Sequence, residues 1–285
     1  MRSALVFGGS GQIGQAVIAG LRAAGWQVDA VSRQPRAPQP GLRWLSGDFE
    51  RIESLPVRAD ALISLGPLDC FGRWYRQHRF DAPRVIAFGS TSVLVKQSSA
   101  DAYERDLAAR LQAGEADVFD TATACGAHAT LLRPTLVYGA GRDRTVSRIA
   151  VLAARTGFFV LPAGARGLRQ PVHVQDLADA ALAAIDCDAA SGQAYALPGG
   201  ETLPYRQMIA RCLHALQPPA RLLTVPMPLF RTAVALARRM GRMQGLGDEA
   251  IARMGEDLVF DAAPARRDFG YAPRDFHPTA AELGR

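Results

Sequence analysis

Three glycines spaced by three, Gly8, Gly11 and Gly14, stand near the start of the chain in the run GGSGQIG. Without a Cβ, glycine lets a backbone turn tightly and bring its amides against a phosphate, which then meets the positive end of the following helix. Farther on, residues 89–115 hold the hydroxyls Ser90 and Thr91, one tyrosine, Tyr103, and Lys96, the sole lysine of the chain. Hydroxyl, phenol and ammonium are groups that hold or move a proton. Lys96 comes seven residues before Tyr103, the wrong order and distance for a familiar catalytic pair.

The elements that must position these residues follow from periodicity. ALVFG reads as a strand and QIGQAVIAGLRAAG as the next helix, with Ile13, Val17 and Leu21 on one face and Gly25 as its stop. WQVDAVS, LRWLSGD, ALISLG, RVIAFGS and ATLLRP supply five further strands, and an Ala-rich helix fills roughly 104–125 before the last of them. Strands alternating with helices predict an α/β fold, a Rossmann-type doubly wound parallel sheet. After Pro134 come a glycine-bearing loop, a helix over VSRIAVLAARTG, a strand in LRQPVHV and a helix starting near Asp176. Helices broken by prolines and short strands follow from about 198, read as a smaller C-terminal α/β lobe.

The 285 residues allow one large domain or two intimate ones, at roughly 100–200 residues per domain. Cys70, Cys125, Cys187 and Cys212 form no CxxC and no set with histidine, so free thiols and no metal site are expected. The N-terminus lacks the pattern of a signal peptide and no apolar run approaches a membrane span, which predicts a soluble, cytoplasmic protein. The net charge of +6 is carried almost wholly by arginine. The arginines read as dispersed, without a basic block interleaved with aromatics, so neither nucleic acid nor membrane is an expected partner.

The tip of the second strand selects the cofactor. An acid there would bind the ribose 2′-hydroxyl of NAD, and an arginine the 2′-phosphate of NADP. The strand ends VDAVSR, with Asp29 too early, Ser32 and Arg33 at the tip and Arg36 close behind. NADP(H) is therefore expected over NAD(H), the alternative being that Arg33 is a solvated loop residue. At the end of the third strand, Asp48 reads equally as an acceptor for the adenine amino group or as a cap, with Phe49 beside the ring. Ser10, Gln12, Ile13, Leu65, Gly66 and Pro134 complete the expected cofactor site. Residues 1–165 form the expected nucleotide-binding domain, to which the strand and helix near 169–197 also belong, and 198–285 the smaller substrate lobe.

Together GGSGQIG (8–14), GDF (47–49), FGSTSVL (88–94), LRPTLVYGAG (132–141) and PVHVQDLADA (171–180) resemble the short-chain dehydrogenase/reductase superfamily, in its extended or atypical epimerase/dehydratase branch. They occur in family order over roughly the first 190 residues. The resemblance implies a nicotinamide-dependent enzyme in which a Ser or Thr follows the fifth strand, and a tyrosine with a lysine four residues on lies on the next helix. That lysine brings the phenol's pKa from about 10 toward neutrality. It places Ser90 at the hydroxyl position, with Thr91 beside it. Reading back from Glu115, where the family commonly carries a glutamate four residues after the lysine, leaves Leu111 and Leu107 at the positions of the pair. Four residues after Tyr103 stands Leu107, and four before Lys96 stands Ser92, so no YxxxK exists.

Three readings stay open: Tyr103 donates a proton, unaided or helped by Lys96 or an arginine; the proton comes from Ser90, water or substrate; or NADP(H) is bound without turnover. By resemblance, Tyr138 and Arg142 face the substrate, while His173 and Asp176 read as a packed strand residue and a helix cap. The implied substrate is a small carbonyl or hydroxyl compound, or a nucleotide sugar, although the segment after Ser90 is short for the latter. A homodimer is compatible with this reading. The leading expectation is an NADP(H)-dependent oxidoreductase or epimerase/dehydratase-like enzyme; the alternative is a non-catalytic NADP(H)-binding sensor or assembly protein.

Overall fold

All six apolar runs read as strands form strands, and all lie in one parallel sheet. The computed structural model describes residues 1–143, 145–239, 241 and 247–285. Its first unit comprises Met1–Thr135, Val174–Leu197 and Asp261–Ala272; its second comprises Leu136–His173, Pro198–Phe260 and Pro273–Arg285.

The chain begins in the first unit with β1 (Ser3–Phe7), α1 (Gln12–Ala23), β2 (Gln27–Ser32), β3 (Leu42–Ser46), β4 (Ala61–Ser64) and α2 (Leu68–His78). β5 (Arg84–Phe88), the short α3 (Ser92–Val95), α4 (Ala102–Cys125) and β6 (His128–Pro134) follow. The second unit takes over with β7 (Val137–Tyr138), α5 (Val146–Thr156), β8 (Phe158–Pro162), β9 (Leu168–Arg169) and β10 (Val172–His173). α6 (Val174–Ile185) and β11 (Gln193–Leu197) return to the first. The second then adds β12 (Leu203–Pro204), α7 (Tyr205–His214), β13 (Arg221–Val225), α8 (Met227–Arg239) and α9 (Asp248–Ala252), and α10 (Ala263–Phe269) closes the first.

In the first unit the sheet order is β11-β6-β5-β4-β1-β2-β3. The order reverses beside β1, where β4 pairs on one side and β2 on the other. Such a switch point opens a crevice at the carboxyl ends of the strands, the usual ligand position in open α/β sheets. One face of the sheet buries Leu5, Phe7, Leu62, Val85 and Leu131 against Phe71, Trp74 and Tyr75 of α2 and Val118 and Ala122 of α4. Each large side chain so buried contributes about 1.5–3 kcal/mol. Asp101 caps α4 by accepting from the Tyr103 amide at 2.8 Å, and Gly126, left-handed, ends it.

The second unit has its own core, in which Tyr138, Val146, Ala150 and Leu161 meet Leu203, Met208, Ile209, Cys212 and Phe276. This core corrects the expected boundaries. Residues 136–165 belong with it, because their apolar side chains pack on α7 and the C-terminal segment. Residues 261–272 belong to the first unit: Phe269 packs edge-on against Tyr195 of β11 at 5.0 Å, and Asp268 accepts from the Tyr195 hydroxyl at 2.7 Å. The strand expected in LRQPVHV is two separate pairs, β9 with β12 and β10 with β7. The helix expected near Asp176 starts at Val174 and carries Asp176 in its first turn.

Candidate cofactor and active site

The turn from β1 into α1 is built on two glycines that no other residue could replace without strain. Gly8 has φ of +73°, and a Cβ there would stand 2.8 Å from the Leu65 carbonyl carbon. Gly14 is buried on the first turn of α1, where a Cβ would lie 2.6 Å from Gly9 Cα and closer still to the Gly8 oxygen. Gly11 closes the loop by donating its amide to that same oxygen at 2.9 Å.

The residues present fit a bound pyrophosphate. α1 has no side-chain cap and no acid in its first turn, which leaves its leading amides for an anion. The side-chain oxygen of Gln12 is buried without a partner among the described residues, an acceptor that suits a hydroxyl of the dinucleotide and not its phosphates. Ser10 and Ile13 lie in the same turn.

At the tip of β2 the Ser32 hydroxyl donates to the Gln34 carbonyl at 2.8 Å and accepts from the Gln34 amide at 3.2 Å. This local turn leaves Arg33 exposed at its apex. Arg36 lies over the Trp44 ring, 5.0 Å from its centroid. Asp29 is consumed inside the sheet by Arg43, through two bonds of 2.7 Å. No helix starts at Asp48, so the expected helix-start cap is absent; its carboxylate instead closes a loop turn, accepting from the amides of Glu50 at 2.9 Å and Arg51 at 3.2 Å. Those bonds hold its carboxyl below the usual range, with a smaller contribution from the positive charge of Arg33. Phe49 stacks on Phe7 at 4.8 Å and covers Gly66, whose Cβ, if present, would lie 2.8 Å from the Phe49 ring.

The segment after β5 separates the three catalytic candidates. Ser90 is partly accessible, and its oxygen accepts from the Ser92 amide at 3.1 Å, which leaves the hydroxyl proton to donate elsewhere. Thr91 is corrected to a structural role: it is buried, and its amide and hydroxyl both donate to the Pro134 carbonyl at 3.2 Å. Pro134 is thereby fixed at the end of β6. Tyr103 stands on the first turn of α4 with 69% of its surface exposed. Lys96 is turned toward a different partner, Glu104, at 3.3 Å, and Ser99 donates to the same carboxylate at 2.7 Å. No phenol–lysine pair is assembled in space among these residues.

Glu115, a register marker in the sequence, is bonded to Arg133 in the structure. The Arg133 guanidinium grips the Glu115 carboxylate through bonds of 2.7 and 2.5 Å, tying β6 to α4 directly beside Gly89. Eighteen residues separate the partners, so no local pattern marks the pair.

In the second unit Tyr138 is corrected to a core residue, with 1% of its surface exposed. Its ring meets His173 at 5.1 Å and Phe276 at 4.8 Å, both edge-on. His173 is packed as expected, close beneath Gly139 and 3.1 Å from Glu282. Arg142 is exposed in the loop after β7. No helix among the described residues is long and apolar enough to cross a membrane.

Residues 76–197 match the family described as NAD dependent epimerase/dehydratase family. The chain is 26% identical over 315 aligned positions to the 2-alkyl-3-oxoalkanoate reductase of Stenotrophomonas maltophilia, covering 95% of this chain and 94% of that protein. Among solved structures it is similar to MoeE5 in complex with UDP-glucose and NAD, at TM-score 0.71 and 18% identity, over 99% of this chain and 97% of the other. It is likewise similar to the UDP-glucuronic acid 4-epimerase of Bacillus cereus in complex with NAD, at TM-score 0.71 and 13% identity, over 99% and 96%. The expected resemblance and Rossmann-type fold are borne out, and the family is one of nicotinamide-dependent enzymes.

Proposed function

With residues 76–197 matching the NAD dependent epimerase/dehydratase family as the premise, we propose that this protein reduces a small carbonyl compound, prefers NADP(H), and works without a tyrosine–lysine pair. One observation carries this reading: an uncapped helix start behind a glycine turn, with Arg33 exposed at the tip of β2 and Asp29 tied to Arg43. The leading amides of α1, at Gln12, Ile13 and Gly14, would hold the pyrophosphate, with Gly8, Ser10 and Gly11 shaping the turn that brings it there. Arg33 and Arg36 would receive the 2′-phosphate, for which a guanidinium offers paired donors, while Ser32, its proton given to Gln34, shapes the turn that presents them. Leu65, Gly66, Phe49 and Pro134 line the remainder of the dinucleotide.

The bound nicotinamide supplies the hydride. Ser90, its oxygen already accepting from the Ser92 amide, turns its proton toward the substrate oxygen and holds it. The alkoxide that forms is as strong a base as hydroxide, so water or Ser90 can protonate it without a tuned phenol. Carbonyl reduction also suits the full-length relative, which is named for reducing a 3-oxo acid. Action on a nucleotide sugar draws support from the epimerase neighbours only at the level of fold.

The test is oxidation of NADPH across a panel of 3-oxo acids, aldehydes, ketones and keto sugars. Ser90→Ala should lower kcat by about 10²-fold while the KM for NADPH stays constant, and Tyr103→Phe should change kcat by less than about twofold. Loss of turnover in Tyr103→Phe would return the proton to the phenol. No oxidation with any carbonyl would favour the non-catalytic sensor.

A further inference from the structure

Between Glu201 and Asp248 the chain has no acidic residue and seven arginines, at 206, 211, 221, 231, 238, 239 and 242. The remaining 26 basic residues are outnumbered by the 27 acidic ones, so the whole positive excess of the protein resides in this stretch of its second unit. The expectation of dispersed arginines overlooked it, because it is an absence of acids spread along the chain rather than a basic block.

The same stretch exposes apolar side chains. On α8, Phe230 and Val234 face inward, against Ile251, Val160, Val225 and Met227. A second stripe, Leu229, Ala233 and Leu236, points to solvent at helical spacing, with 64% and 59% of the two leucines exposed. Leu223, on the strand β13 that precedes α8, is also exposed over 45% of its surface. Arg206, Arg221, Arg231 and Arg239 are exposed within the same unit, whereas Arg211 is held by Glu201 through bonds of 2.5 and 2.7 Å.

We propose that α8, within this acid-free stretch of chain, forms a docking face for an anionic lipid surface. A helix with an outward apolar stripe and arginines around it lies in the headgroup layer, its leucines in the acyl boundary and its cations on lipid phosphates. A nucleic acid would use the charge but leave Leu229 and Leu236 in water, and no exposed aromatic stands on the helix to stack a base. This is peripheral docking and requires no spanning segment, so it is compatible with the lack of a membrane-crossing helix among the described residues.

The experiment is co-sedimentation of the full-length protein with vesicles of phosphatidylcholine alone, or with one part phosphatidylglycerol to two of phosphatidylcholine. Binding should require the anionic lipid and fall with added salt. Leu229→Ser with Leu236→Ser, and separately Arg231→Glu with Arg239→Glu, should each weaken it by about tenfold, with the thermal midpoint unchanged. Val57→Ser, an exposed apolar residue of the first unit, should leave it unaltered. Equal binding to both vesicle types, or to neither, overturns the proposal. So does a dimer by light scattering that the leucine variants dissociate without changing vesicle binding, or arginine-dependent binding to RNA or DNA in place of vesicles.

Discussion

At position 14 there is no room for a methyl group: the Gly9 Cα and the Gly8 oxygen already occupy its space. Gly14→Ala must push α1 away from the turn, at a cost of about 1–3 kcal/mol. We expect a lower thermal midpoint and NADPH affinity weakened by about tenfold or more, read by denaturation and by nicotinamide fluorescence, because the displaced amides no longer converge. The same residue-scale logic sorts the proton-handling candidates. Thr91 spends its donors on Pro134, and Lys96 its charge on Glu104. Tyr103 stands in solvent, and Ser90 keeps a proton to give. Burial alone marks no function: Tyr75 is fully buried, its hydroxyl pushed up to about 12 by desolvation, and it belongs to the aromatic stack under the sheet.

Elements are pinned to one another by bonds that respond to pH. Asp60, just before β4, accepts the Ser3 amide at 2.7 Å and the Ser3 hydroxyl at 3.1 Å, which ties the start of β1 to the start of its neighbour. The amide bond holds its carboxyl below the usual range, against the opposing effect of burial. A lowered folded pKa contributes stability that is complete above the unfolded value of about 3.9 and is lost as pH falls through the folded value. Asp60→Asn should therefore lower the thermal midpoint at neutral pH, and its difference from the wild type should vanish at the acid end of the titration. A difference independent of pH would assign the loss to geometry alone. The strands were legible because β-rich runs bounded by glycine have a short period and local causes. α2 drew no helix assignment, although Phe71, Trp74 and Tyr75 mark one face at i, i+3 and i+4, because its charged residues dilute the pattern. β11 was also missed: Gln193–Leu197 becomes a strand through its pairing with β6, which is a property of the sheet.

At the scale of the molecule, the alternation of strand and helix patterns predicted an α/β chain with a nucleotide-binding part and a smaller one, yet not which segments make each. The path from Thr135 to Val174 and back at Asp261 depends on contacts between residues far apart, such as Tyr195 with Asp268, and no window of sequence contains both. The phosphate turn, by contrast, was readable from three glycines, because its geometry is set within seven residues. The central claim, a dinucleotide site that grips a 2′-phosphate through Arg33, is tested most directly by titrating the protein with NADPH and with NADH, and repeating both on Arg33→Ala. NADPH should bind more tightly than NADH, and Arg33→Ala should weaken NADPH by about tenfold or more while leaving NADH unchanged, the loss of a charge-assisted phosphate contact. Equal affinity for the two cofactors, unaltered by the substitution, would contradict it.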